Sequence, residues 1–152
     1  MQLIDVVAPN NMALVDRVMF LSSLGAIRHE KSFPKMKSGT RCVRMEVPDD
    51  VNAYQAMPLQ KELTGAKVLV SSSDPIRFID TVVGLAKKGA IRCLASNPNK
   101  NSVTLILPNP NVEDEGPNAR IIQGEFDIKG NEVKEATQQE EVVVQDESKP
   151  EI

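Results

Sequence analysis

Aromatic residues are scarce in this chain: 152 residues hold no tryptophan, one tyrosine and four phenylalanines. Histidine is scarcer still, with His29 alone, so the usual zinc combinations that draw on two or more histidines are excluded. His29 reads as a surface or packing residue in a predicted strand. Neither a Gly-x-Ser-x-Gly element for a nucleophilic serine nor a Gly-x-x-x-x-Gly-Lys loop for phosphates is present. Two cysteines, Cys42 and Cys93, lack metal-ligand spacing, lie in predicted strands and read as buried, reduced thiols. Asp49 and Asp50 follow Pro48 and read as turn formers, with a weak magnesium site as the alternative. A run of 18 apolar residues is missing, and residues 1–9 lack a basic segment followed by a long apolar stretch, so no membrane span or secretory signal is expected. These absences predict an intracellular protein that is not an enzyme and carries no cofactor or metal.

What is present is a repeat. Asp16, Val18, Leu21, Gly25, Ala26, Ile27 and Arg28 recur 64 positions later as Asp80, Val82, Leu85, Gly89, Ala90, Ile91 and Arg92. Flanking segments agree in type: residues 3–7 correspond to 67–71, and 43–48 to 103–108 after a four-residue deletion. The body therefore reads as a duplicated unit with pseudo-twofold symmetry, the repeats covering about 3–48 and 67–108.

Each copy spells the same local grammar. Residues 3–7 read as a strand ended by Pro9. Asn10 or Asn11 then caps a helix with a broad apolar face of Met12, Val15 and Met19 joined by Leu14, Val18 and Leu21, and Gly25 ends it. The second copy has Asp74 as cap, Pro75 at the first helical position, the face Ile76, Ile79, Val83 with Phe78, Val82 and Leu85, and Gly89 as terminator. A hairpin follows in each: 26–33 with 40–47 through a loop at 34–39, and 90–96 with 102–107 through 97–101. Residues 49–65 form a link with Pro58 and a candidate helical turn near Tyr54. Alternation over 119–128 predicts a further strand.

The expected fold is α+β, with two strand-helix-hairpin units and two helices on mostly antiparallel sheet. Two arrangements stay open: a single ferredoxin-like sheet, or two sheets with helices between them. Residues 1–128 form the domain, and 129–152 are expected to be a disordered acidic tail, because from Asn131 onward 7 acids, 2 lysines and no aromatic residue leave too little apolar surface to offset the entropy of ordering.

Charge is distributed unevenly. Residues 1–112 hold 14 Lys and Arg against 9 Asp and Glu, whereas residues 113–152 hold 4 against 12. A basic body with an acidic end is a pattern of polyanion binders. The basic residues concentrate on the first hairpin: Arg28, Lys31, Lys35, Lys37, Arg41 and Arg44 stand against Glu30 alone. Such a finger tracks phosphates while Phe33 or Met36 offers a face to an unstacked base, the combination that single-stranded nucleic acid requires. The alternative is a hairpin whose lysines merely solubilise it and protect its edge. Arg77, Lys87, Lys88 and Arg92 form a candidate second patch on and after the second helix. The few aromatics, with Phe20 and Phe78 on helices and read as core, do not support an RNA recognition motif with its paired strand aromatics.

Two repeated units of antiparallel strands and a helix, a basic sheet surface and an acidic terminus resemble the Whirly- and Pur-type single-stranded nucleic-acid-binding proteins, and similar small proteins occur in large nucleus-forming bacteriophages. Ser38-Gly39-Thr40-Arg41-Cys42-Val43 is loosely similar to the Lys-Gly-Lys-Ala-Ala-Leu strand of Whirly proteins but lacks the lysines flanking its glycine. The resemblance implies a Whirly-like fold and a non-enzymatic protein that binds single-stranded RNA or DNA and forms a homo-oligomer through helices or sheets. The expected setting is the cytoplasm of a bacterial or phage-infected cell. The expected site is Arg28, Lys31, Phe33, Lys35, Lys37, Arg41, Arg44, Arg77, Lys87, Lys88 and Arg92, with affinity falling by orders of magnitude between about 50 and 200 mM salt if six or more phosphate contacts form. The competing reading is a protein-interaction or assembly module, a phage structural or host-takeover factor, whose strand edges and acidic tail recruit a protein partner. A duplicated enzyme of the vicinal-oxygen-chelate type is disfavoured, since one histidine cannot supply its usual ligands.

Overall fold

A computed structural model describes residues 1–36, 41–60, 62–96, 101–108 and 117–133. The chain runs β1 (Gln2–Ala8), α1 (Asn11–Ser23), β2 (Ile27–Arg28), β3 (Arg41–Val47), β4 (Gly65–Ser71), α2 (Pro75–Lys87), β5 (Ile91–Arg92), β6 (Ser102–Leu107) and β7 (Ala119–Phe126). The architecture is α+β, and each repeat builds its own antiparallel sheet, β1-β3-β2 in the first and β5-β6-β4-β7 in the second. The single ferredoxin-like sheet is therefore not formed.

The duplication extends to strand register. Gln2 faces Val47 and Asp5 faces Arg44 in the first sheet; Ala66 faces Leu107 and Leu69 faces Thr104 in the second, each pair at the repeat-equivalent positions. Both helices begin as their sequences require. Asn10 accepts the Ala13 N–H at 2.8 Å, and Asp74 accepts the Ile76 N–H at 3.0 Å with Pro75 in the first turn.

Both helices also end alike. The Ala26 N–H donates to the Leu21 carbonyl at 3.0 Å and the Gly25 N–H to that of Ser22 at 3.0 Å; in the second unit Ala90 donates to Leu85 at 3.1 Å and Gly89 to Ala86 at 3.0 Å. This bond pair is a Schellman cap, and it needs a left-handed residue at the glycine, where φ is +108° at Gly25 and +98° at Gly89. Leu21 and Leu85 beneath the caps are fully buried, as are Val18 and Val82 one turn earlier. They join one hydrophobic cluster that runs from Ile4, Val6 and Met45 through both helices, which contact one another, to Val68, Val70 and Leu105. Truncating either leucine to alanine should cost about 2–5 kcal/mol.

Three boundaries differ from expectation. The first strands of the hairpins are two residues long instead of seven or eight, because an arginine side chain turns the chain aside, as described below. Residues 49–60 contain no helix and are pinned by side chains: Gln2 donates to the Pro48 and Val51 carbonyls at 3.0 and 2.7 Å, Arg17 to those of Ala53 and Gln55, and Gln60 to that of Arg92 at 3.0 Å. Residues 129–133, expected to open the tail, fold back on β7, where Val133 donates to the Glu125 carbonyl at 2.7 Å and Asp127 accepts from the N–H groups of Lys129 and Asn131, both at 3.0 Å. The remainder of the expected tail, 134–152, lies outside the described residues.

Candidate nucleic-acid interface

The repeated arginine shapes the turn that carries the basic residues. Arg28 points to the helix side of its sheet and grips Asp80 of α2 with two bonds, from Nε at 2.8 Å and Nη2 at 3.0 Å. Its Nη1 donates to the carbonyls of His29, Glu30 and Ser32 at 2.9, 3.1 and 2.9 Å, which curls residues 29–32 around the guanidinium. Ser32 closes the turn by accepting the Arg44 N–H at 2.9 Å. The second unit repeats the arrangement except for the bond to the Glu30 carbonyl: Arg92 binds Asp16 of α1 at 2.7 and 3.1 Å and the carbonyls of Cys93 and Ser96, and Ser96 accepts the Thr104 N–H at 2.9 Å.

Arg28 and Arg92 are thus structural. Their side chains are 11% and 8% exposed, and each joins one unit to the helix of the other. Neighbouring Asp80 holds the Arg28 guanidinium above its ordinary pKa, so it stays charged at any pH the folded protein meets. Neither side chain is presented as a phosphate ligand.

Beyond the turn, residues 31–36 alternate. Lys31, Phe33 and Lys35 are exposed, Ser32 is half-buried, and Pro34 and Met36 are buried. Two bonds tie this segment to β3, from Lys35 N–H to the Cys42 carbonyl at 3.0 Å and the reverse at 3.2 Å. Lys31 ends the turn, Lys35 is bridged to β3, and Phe33 lies between them, all three side chains exposed. Phe33 is 74% exposed with a cation on each side, whereas Met36, 3% exposed, belongs to the core.

The other expected residues scatter. Arg44 lies on the exposed face of β3 and binds Asp5 of β1 at 2.7 and 3.2 Å. Its guanidinium holds the Asp5 carboxyl below the usual carboxylate range. Arg41 is half-buried and donates to the Pro9 carbonyl at 3.0 Å. Arg77, 72% exposed, lies 3.8 Å from Asp74; Lys87 is exposed and Lys88 half-buried at the end of α2. Lys37 lies outside the described residues, as do Ser38, Gly39 and Thr40 of the Whirly-like stretch. His29 sits 2.9 Å from Glu46 across the sheet, a packed pair. Among the described residues no group of three or more His, Cys, Asp or Glu side chains could hold a metal.

The second turn has diverged from the first. At the positions of Glu30 and Lys31 it carries Leu94 and Ala95, and the Leu94 N–H donates to the Ile128 carbonyl at 2.7 Å, so the segment after β7 runs across it. Lys67, Cys93, Ala95, Ser96, Lys129 and Gly130 line a depression of about 300 Å³ there. Two exposed apolar residues, Leu3 and Val7, lie on the outer side of β1 opposite buried Ile4 and Val6; all four are apolar, so the sequence does not distinguish the two sides. No protein-family model, curated protein or solved structure matches the chain.

Proposed function

We propose that this protein binds single-stranded RNA or DNA without catalysing a reaction, acting in the cytoplasm of a bacterial or phage-infected cell, and that Lys31, Phe33 and Lys35 form the contact. The observation that carries this reading is the exposure of Lys31, Phe33 and Lys35 on a segment whose Pro34 and Met36 are buried. A chain held in one conformation loses little entropy when it binds. Two lysines meet phosphates while the ring stacks on a base, and stacking is indifferent to sequence because every base has a π-face. Arg44, Arg77 and Lys87 are exposed cations that add to the field. Residues 134–152, with six acids against two lysines, compete for the same surface.

Fluorescence anisotropy with labelled single-stranded RNA, single-stranded DNA and duplex DNA tests the proposal. Phe33→Ala should weaken single-strand binding by about 5- to 150-fold, the equivalent of about 1–3 kcal/mol of stacking. A chain ending at Val133 should bind more tightly than the full chain. Equal binding by wild type and Phe33→Ala would remove the stacking contact from the account.

A further inference from the structure

The two sheets differ at one edge. In the second sheet β4 is flanked on both sides, by β6 and by β7; in the first, the equivalent strand β1 has only β3. Among the described residues no backbone hydrogen bond reaches the outer edge of β1. Edge strands of this length normally carry a device against pairing, such as a lysine, a proline or a bulge. β7 has charged Arg120 and Glu125 and a register shift opposite Gly65 and Lys67. β1 has none of these: its one charge, Asp5, is already held by Arg44, and Leu3 and Val7 beside it are 54% and 62% exposed.

We propose that the occupant of this edge is a second copy of the chain, joined by antiparallel pairing of β1 with β1. The strand is self-complementary in the register centred on Asp5. Leu3 then faces Val7 of the other copy, and Ile4 faces Val6, which keeps the buried sides of both strands on the helix side. The two Asp5 carboxylates meet at the twofold axis with an Arg44 outside each, so the like charges are balanced within the row. The joined sheet reads β2-β3-β1-β1-β3-β2, closed by symmetry and leaving no repeat of the same edge to propagate. Lys35 pairs with Cys42 on the side of β3 away from β1, so each copy keeps its Lys31–Phe33–Lys35 segment at an outer edge of the dimer. This assembly stands independently of nucleic-acid binding.

Sedimentation velocity over a concentration series tests it with the full chain. Wild type should move from monomer to dimer, and Leu3→Lys combined with Val7→Lys should raise the dimer dissociation constant by at least about tenfold with an unchanged circular dichroism spectrum. A second variant covers loss of folding: Asp5→Cys in a Cys42→Ser background should form an intermolecular disulfide on mild oxidation, because opposed residues of antiparallel strands lie about 4.5–5.5 Å apart at Cα, within disulfide reach. A wild-type monomer at every concentration, or a dimer indifferent to the lysines and without the cross-link, would overturn the proposal and leave the edge to the acidic tail or to a foreign strand.

Discussion

At the scale of single residues, six of the seven repeated identities are accounted for by folding. Val18 and Val82 fill the core, Leu21, Gly25 and Ala26 with their counterparts make the caps, and Asp16 and Arg28 with Asp80 and Arg92 make two crossed ion pairs between the units. Loss of one guanidinium strands a carboxylate and several carbonyls. Arg92→Met should cost about 2–4 kcal/mol and Arg28→Met about 1–2 kcal/mol, the order following the carboxylate exposures of 30% for Asp16 and 49% for Asp80. Urea denaturation measures both, and equal or negligible losses would contradict the crossed-pair account. Asp5 adds a pH-dependent contribution. Its folded pKa is lowered by Arg44, so its stabilisation is present above the unfolded value of about 4 and is lost as pH falls through the lowered folded value. Asp5→Asn should therefore be less stable than wild type at neutral pH and indistinguishable from it near about pH 2. The sequence displayed Arg28 and Arg92 as charges without showing their partners, which lie 52 and 76 positions away. A signal was nevertheless there: the only charged identities in the repeat are one acid and one arginine.

At the scale of elements, local rules served where local chemistry decides. Both caps, both glycine terminators and the presence of strands at β1, β3, β4 and β6 are legible because they depend on neighbours within a few positions. β2 and β5 were overestimated because the force that shortens them is a side chain bonding to its own downstream carbonyls, a feature with no periodicity. The helix caps give a graded prediction. Nothing lies within 4 Å of a Cβ built on Gly89, so Gly89→Ala should cost only the conformational penalty of about 1–2 kcal/mol; a Cβ on Gly25 meets Pro48 Cγ at 3.2 Å, so Gly25→Ala should cost more. Denaturant midpoints of the two variants measure the difference. The reverse order would mean that Pro48 yields at no cost.

At the scale of the whole molecule, duplication supplies a symmetric frame and divergence distinguishes the candidate site. One turn is capped by the chain after β7 and carries Leu94 and Ala95; the other is uncovered among the described residues and carries Lys31, Phe33 and Lys35. From the sequence the fold class and the basic hairpin could be read, but not which cations the frame consumes. With the proposed contacts at Lys31 and Lys35 and at most two more from other exposed cations, about two to four phosphate contacts are expected, so the logarithmic salt slope should be about −1.4 to −2.8 and affinity should fall about 7- to 50-fold between about 50 and 200 mM salt. The most direct test titrates labelled single-stranded RNA, single-stranded DNA and duplex DNA over that salt range with the full chain and with the Lys31→Glu, Phe33→Ala, Lys35→Glu triple variant. Single-strand binding with that slope, lost in the triple variant while its denaturation midpoint is unchanged, is the predicted result; absence of binding by the wild type, or binding that survives the triple substitution, would contradict the account.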